Sequence, residues 1–209
     1  MMNFWFLDHI KVAAEVYTSS SRTSEEMKAL TLWYVTAREF SLPQEQALAA
    51  AGLAVSLTKL GLVAAASDVL QASKEVVSGL DDGLPKLRFL LAKAQVLYCK
   101  EQFSEGQDLV NSLLTHPMLQ KKTKSCLMFM ADAKLLACQF AMLPPACVTP
   151  PMAEPSDTPI NLAQDALKLA QSVLRHLDEG KQGDPQDLHT KFVLERLLLD
   201  SATMLGQLY

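Results

Sequence analysis

The chain has 209 residues, of which 49% are hydrophobic and 20% charged, with a formal net charge of −4. That length suits one large domain or a short solenoid, and the apolar content excludes a disordered chain. A net acidic chain also argues against general nucleic-acid binding, leaving room only for a local basic patch. The apolar excess is mostly Leu and Ala, which are good helix formers, and the Val/Ile runs bounded by turns that mark strands are missing.

The first seven residues briefly resemble a signal peptide. Asp8, His9 and Lys11 interrupt the apolar run and no small-residue cleavage site follows, so that reading is rejected. No window reaches the 18 or so uncharged apolar residues of a membrane span. A first helix is predicted over 3–18, with Phe6, Ile10, Ala13 and Tyr17 on one face, ended by Ser19-Ser20-Ser21. The second spans 24–40, with Leu30, Trp33, Tyr34 and Ala37 as its stripe. Thr23 and Glu26 stand at capping-box spacing before it.

Pro43 opens a third helix to residue 60, because its missing amide would be unpaired in a first turn anyway, and Gly61 stops it. The fourth runs over 62–78 with Leu62, Ala66, Val69, Leu70, Ser73 and Val77 in line, before Gly79, Asp81-Asp82-Gly83 and Pro85 break the chain. The fifth carries Leu87, Leu90, Leu91, Ala94, Leu97 and Tyr98 at the spacing of one helical face. The sixth covers 104–115, with Ser104 and Gln107 at capping-box spacing.

A seventh helix is predicted over 118–143. Cys126, Phe129, Met130, Ala133, Ala137, Phe140 and Ala141 make its stripe, widened by Leu127, Leu135 and Leu136, so it should pack on more than one side. Residues 144–159 hold Pro144, Pro145, Pro150, Pro151, Pro155 and Pro159, which is incompatible with helix and reads as an exposed connector. The eighth helix covers 160–179. Asp184, Pro185 and Asp187 open a ninth that runs to the C-terminus, with Leu194, Leu197, Leu198, Ser201, Leu205 and Leu208 aligned.

Helices three and four repeat as five and six, at an offset of about 40 residues, within the range of paired-helix arrays. The expected fold is all-α: a tetratricopeptide-like, right-handed stack of about nine helices in antiparallel pairs, with a closed bundle as the alternative. The expected organisation is a helical-repeat region over 1–143, the connector over 144–159 and a hairpin over 160–209 that continues the stack. Tyr209 falls inside a periodic helix without a cap, so truncation at the C-terminus is expected.

The sequence holds no Gly-rich phosphate loop, His-Glu-x-x-His or nucleophile elbow. Cys99, Cys126 and Cys138 are expected as buried reduced thiols inside helices, and Cys147 as an exposed thiol in the connector. With His116, Cys126 and Cys138 too scattered for zinc, no metal or other cofactor is expected. His9, His176 and His189 fall on helices and His116 in a turn, so core and surface roles explain them better than a Cys-His catalytic pair. Trp5, Trp33 and Tyr34 read as core.

Lys121, Lys122 and Lys124 form a basic cluster near a helix N-terminus, where positive charge is mildly unfavourable. A solvated face is the plain reading, and a docking point for an acidic segment of a partner is the functional one. Thr149-Pro150 and Thr158-Pro159 are candidate sites for a proline-directed kinase. A phosphate would add nearly two negative charges there.

The stretch His116-Pro117-Met118-Leu119-Gln120-Lys121-Lys122-Thr123-Lys124, preceded by a short helix over 109–114 and followed by a long Leu-rich helix closing in Leu143-Pro144, resembles the helical-repeat region of animal separases. Weaker similarity extends over roughly 30–209. Separases are large caspase-like cysteine endopeptidases that cut the kleisin subunit of cohesin. The resemblance implies a noncatalytic scaffold that supports the protease and binds the inhibitor securin as an extended chain. It also implies a place in the cytoplasm and nucleus. The family's catalytic His and Cys motifs have no match here, so the chain alone is expected to be inactive. A tetratricopeptide-like adaptor unrelated to separase is the first rival, and a small all-helical enzyme the second.

Overall fold

The computed structural model describes residues 5–121, 123–143, 158–178 and 185–208. Among them the regular structure is all helical: α1 (Trp5–Ser19), α2 (Thr23–Glu39), α3 (Pro43–Lys59), α4 (Val63–Ser78), α5 (Leu84–Cys99), α6 (Phe103–Leu114), a 3-10 turn (Pro117–Gln120), α7 (Lys124–Ala141), α8 (Pro159–Asp178) and α9 (Pro185–Leu208). The chain divides into two compact units, 1–101 and 102–209.

The first unit is built on a half-repeat of 20 residues, since α2, α3 and α4 begin at 23, 43 and 63. The connectors repeat with them. Ser21, Ser41, Gly61 and Glu101 all adopt left-handed backbone, with φ of 56°, 52°, 76° and 61°. The amides of Arg22, Leu42 and Leu62 donate back to the carbonyls of Tyr17, Ala37 and Leu57 at 3.0, 2.8 and 2.9 Å. Each pairing closes a helix with a Schellman turn. The carbonyls of the same three residues accept from the amides of Glu26, Gln46 and Ala66, opening the next helix. One residue therefore finishes one helix and starts another.

This explains why the expected capping boxes are not used. No side chain caps α2 or α6, whose N-cap residues are Arg22 and Gln102. Glu26 is instead buried and accepts a 2.6 Å hydrogen bond from Ser56 Oγ, while Gln107 is buried. Leu62, predicted in the stripe of α4, is 52% exposed because it is that helix's N-cap.

Helix α3 sits at the centre of this unit and packs on α2, α4 and α5. Its small side chains allow that: Ala47, Ala49, Ala50 and Ala54 are fully buried around its axis. A Cβ on Gly52 would lie 2.9 Å from Leu30 Cδ2, so glycine permits the close approach of α2. Polar ties reinforce the packing. Glu45 accepts from Lys11 Nζ at 2.6 Å on one oxygen and from Trp33 Nε1 at 3.1 Å on the other. Ser73 Oγ donates to Tyr34 Oη at 3.1 Å. Trp33 is buried and Tyr34 half-buried, but Trp5 is 62% exposed, with its ring edge-on to that of His9. The expected core role of Trp5 is corrected. The face of α1 that packs is centred on Leu7 and Ala14, and Trp5 projects from the opposite side.

In the second unit α6 packs on α7, α7 on α8 and α8 on α9, with α7 also reaching α9. The expectation that α7 packs on more than one side holds. Its Ala131 and Leu135 meet Ala166, Ala170 and Val173 of α8 and Leu194 and Leu197 of α9 in one cluster. The N-terminal bound predicted for α7 is corrected. The chain makes a 3-10 turn over Pro117–Gln120, breaks at Lys121, and starts the helix at Lys124 under a Thr123 cap.

Candidate partner-binding surface

The segment between α6 and α7 is assembled almost wholly from local hydrogen bonds. The His116 amide donates to Leu113 O at 3.1 Å, prolonging the end of α6. Pro117 then takes the first position of the 3-10 turn, where no amide is needed. The Leu119 amide donates to His116 O at 3.0 Å, and the Leu119 side chain is buried. The Lys121 amide donates to Met118 O at 3.2 Å, ending the turn. Thr123 Oγ1 accepts from Cys126 N at 3.3 Å, and Thr123 O accepts from Leu127 N at 2.9 Å. Two caps seven residues apart, at His116 and Thr123, thus set the 3-10 turn off from the helix that hydrophobic periodicity alone begins at residue 118.

Lys121 is exposed at the break, and Lys124, half-buried, is the first residue of α7. Lys122 lies outside the described residues. No acid stands in the first turn of α7, so the positive end of the helix dipole and the lysine charges carry the same sign. Such a surface favours a carboxylate-rich ligand. Its pairs in solvent would be individually weak and screened by salt.

Thr158 is exposed and serves as the N-cap of α8: its Oγ1 accepts from Asn161 N at 3.3 Å and its carbonyl from Leu162 N at 3.1 Å. Thr149 and Cys147 fall outside the described residues, as do the side chains of His176 and His189. The other thiols are placed for packing. Cys126 and Cys138 are buried, and Cys138 Sγ donates to Pro159 O at 3.2 Å, joining α7 to the start of α8. Cys99, expected to be buried, is exposed because it is the last residue of α5, where the helix ends at the surface. Desolvation pushes the Cys99 and Cys138 thiols above the ordinary cysteine value. Both therefore remain protonated and poor nucleophiles at neutral pH.

His9 Nδ1 donates to Trp5 O at 2.7 Å, and His116 Nδ1 accepts from Met118 N at 3.3 Å. These bonds give both rings structural partners. Among the described residues no group of His, Cys, Asp and Glu is arranged to hold a metal ion, and no helix is long and apolar enough to cross a membrane. Periodicity gave no sign of the buried Glu26–Ser56 pair or of the Lys11–Glu45–Trp33 cluster, whose partners lie 30 and 34 residues apart. Both are structural ties of the first unit. No protein-family model and no curated protein matches the sequence.

Proposed function

We propose that the chain is a noncatalytic helical scaffold of a separase-like cysteine endopeptidase acting in sister-chromatid separation. In this reading it supports the protease and binds an extended, acidic, securin-like inhibitor. It meets the cohesin kleisin only through the parent protein, in the cytoplasm and nucleus. The reading rests on the resemblance over 116–124. The single observation that carries the binding role is the exposed Lys121 at the break before α7, a helix whose own first turn carries no acid. Phosphorylation of Thr149 or Thr158 would add negative charge to the connector and regulate the scaffold through it.

A tetratricopeptide-like adaptor unrelated to separase is the alternative, and the 20-residue spacing of helix starts in the first unit suits either scaffold. Binding of a securin chain, followed by fluorescence anisotropy at rising salt, separates the two. The separase reading expects affinity that falls with salt and drops at least tenfold when Lys121, Lys122 and Lys124 are all changed to Glu, with helicity retained. Unchanged securin binding in that variant would remove the cluster from the site. No securin binding by the wild-type chain would favour the adaptor. Cleavage of kleisin by the pure chain, lost on Cys147→Ser, would overturn the noncatalytic assignment.

A further inference from the structure

The 3-10 turn between α6 and α7 opens with an unusual cap, in which His116 Nδ1 accepts the Met118 amide at 3.3 Å. A backbone amide only donates, so Nδ1 must carry its lone pair, and the ring must be the neutral form protonated at Nε2. The imidazolium has N–H groups at both positions and no acceptor. Protonation would place a donor against the Met118 donor and abolish the cap.

We propose that this turn is a pH-sensitive joint, closed by neutral His116 and released when the ring is protonated. The ring is half-buried, so solvent protons reach it. The turn it holds does two things: it seats Leu119 in the core, and it presents Met118 O to Cys126 Sγ at 3.9 Å, tying the turn to α7. Loss of the cap acts on both. The charged groups on the elements packed around the turn are Glu105 and Asp108 of α6, Lys121 after the turn, and Lys124, Asp132 and Lys134 of α7. Lys134 is engaged by Asp165 at 2.9 Å. Both α6 carboxylates lie more than two helical turns back along the chain from His116. The joint is independent of which partner the neighbouring lysines bind.

Amide and ring signals of the full chain are followed by NMR from about pH 8 to about pH 5, the interval in which histidine side chains can change charge. The Met118 amide is expected to shift with the His116 ring and to lose protection relative to its intrinsic exchange rate as the ring protonates. His116→Asn places an acceptor oxygen in the position of Nδ1 without a titrating group. In it, Met118 should stay protected at every pH. His116→Ala should give the unprotected Met118 signal throughout, which also shows that the turn reads the cap. A Met118 amide that stays fixed while the ring titrates would overturn the joint. So would a pH dependence in His116→Asn equal to wild type, or a ring that remains neutral to about pH 5.

Discussion

The two units solve the same problem, how to end one helix and begin the next, by different means. In the first, backbone conformation does it: a left-handed residue followed by a shared N-cap, repeated at Ser21, Ser41 and Gly61, with no side-chain caps on α2, α3, α4 or α5. In the second, once α6 has opened without a side-chain cap, side chains do it: His116, Thr123 and Thr158 each accept an amide at the start of a helical segment. The cores differ in parallel. The largest fully buried side chains are mostly in the second unit, among them Phe129, Phe140, Leu113 and Leu194, whereas α3 is surrounded through alanines. Regular connectors fix a regular spacing, which small residues on a central helix can fill. Irregular connectors leave irregular spaces that take large side chains.

The difference in cores predicts the largest effect. Phe129→Ala should cost about 3–5 kcal/mol of stability, by the usual cost of emptying a buried aromatic site. The first unit should fail by overfilling: Ala50→Leu, at a fully buried position of α3, should cost about 1–3 kcal/mol. Urea unfolding of both variants tests the contrast, and a well-tolerated Ala50→Leu would break it. Connectors come next. Gly61→Ala should lose about 1 kcal/mol, because a Cβ is strained at its φ of 76° although it meets no atom within 4 Å. Ser41→Gly should gain a few tenths to about 1 kcal/mol by relieving that strain. A destabilised Ser41→Gly would show that its side chain, not its backbone, holds the turn.

Side-chain caps predict the mirror image. Thr123→Ala should cost about 1 kcal/mol and loosen the first turn of α7, seen as faster amide exchange at Cys126. The smallest effect concerns α7 and α8. Lys134 donates to Asp165 at 2.9 Å and, together with its charge and that of Lys168, holds the Asp165 carboxyl below its usual range. A lowered folded value contributes stability above the unfolded carboxylate value, near about 3.9, and loses it as pH falls through the folded value. Asp165 is half-exposed, so the contribution is a few tenths of a kcal/mol. Lys134→Met should flatten the acid-unfolding profile below about pH 4, the unfolded carboxylate value, and an unchanged profile would show that the pair contributes nothing.

Much of the fold was legible because helix stripes repeat at short range. Leu30, Trp33 and Ala37, or Leu87, Leu91, Ala94 and Leu97, are buried where periodicity puts them. Gly61 announces its own turn. Ser21, Ser41 and Glu101 do not, because they adopt left-handed backbone without being the glycine that usually marks it. The start of α7 was hidden for a related reason: Thr123 sits among lysines with an apolar run on both sides, so periodicity continues through the break. Trp5 and Cys99 were misplaced because apolar character predicts burial only where a neighbour covers the position. The basic cluster was visible in sequence, but the 3-10 turn that sets off Lys121 from the helix was not.

The most direct test of the binding role maps an unlabelled securin chain onto the isotope-labelled protein by amide shifts. Perturbation is expected at Lys121 and over Thr123 to Cys126 in the second unit, weakening with added salt, while α1 to α5 stay silent. Shifts concentrated on the exposed face of α1 around Trp5, Val12 and Val16, or no shifts at all, would contradict it.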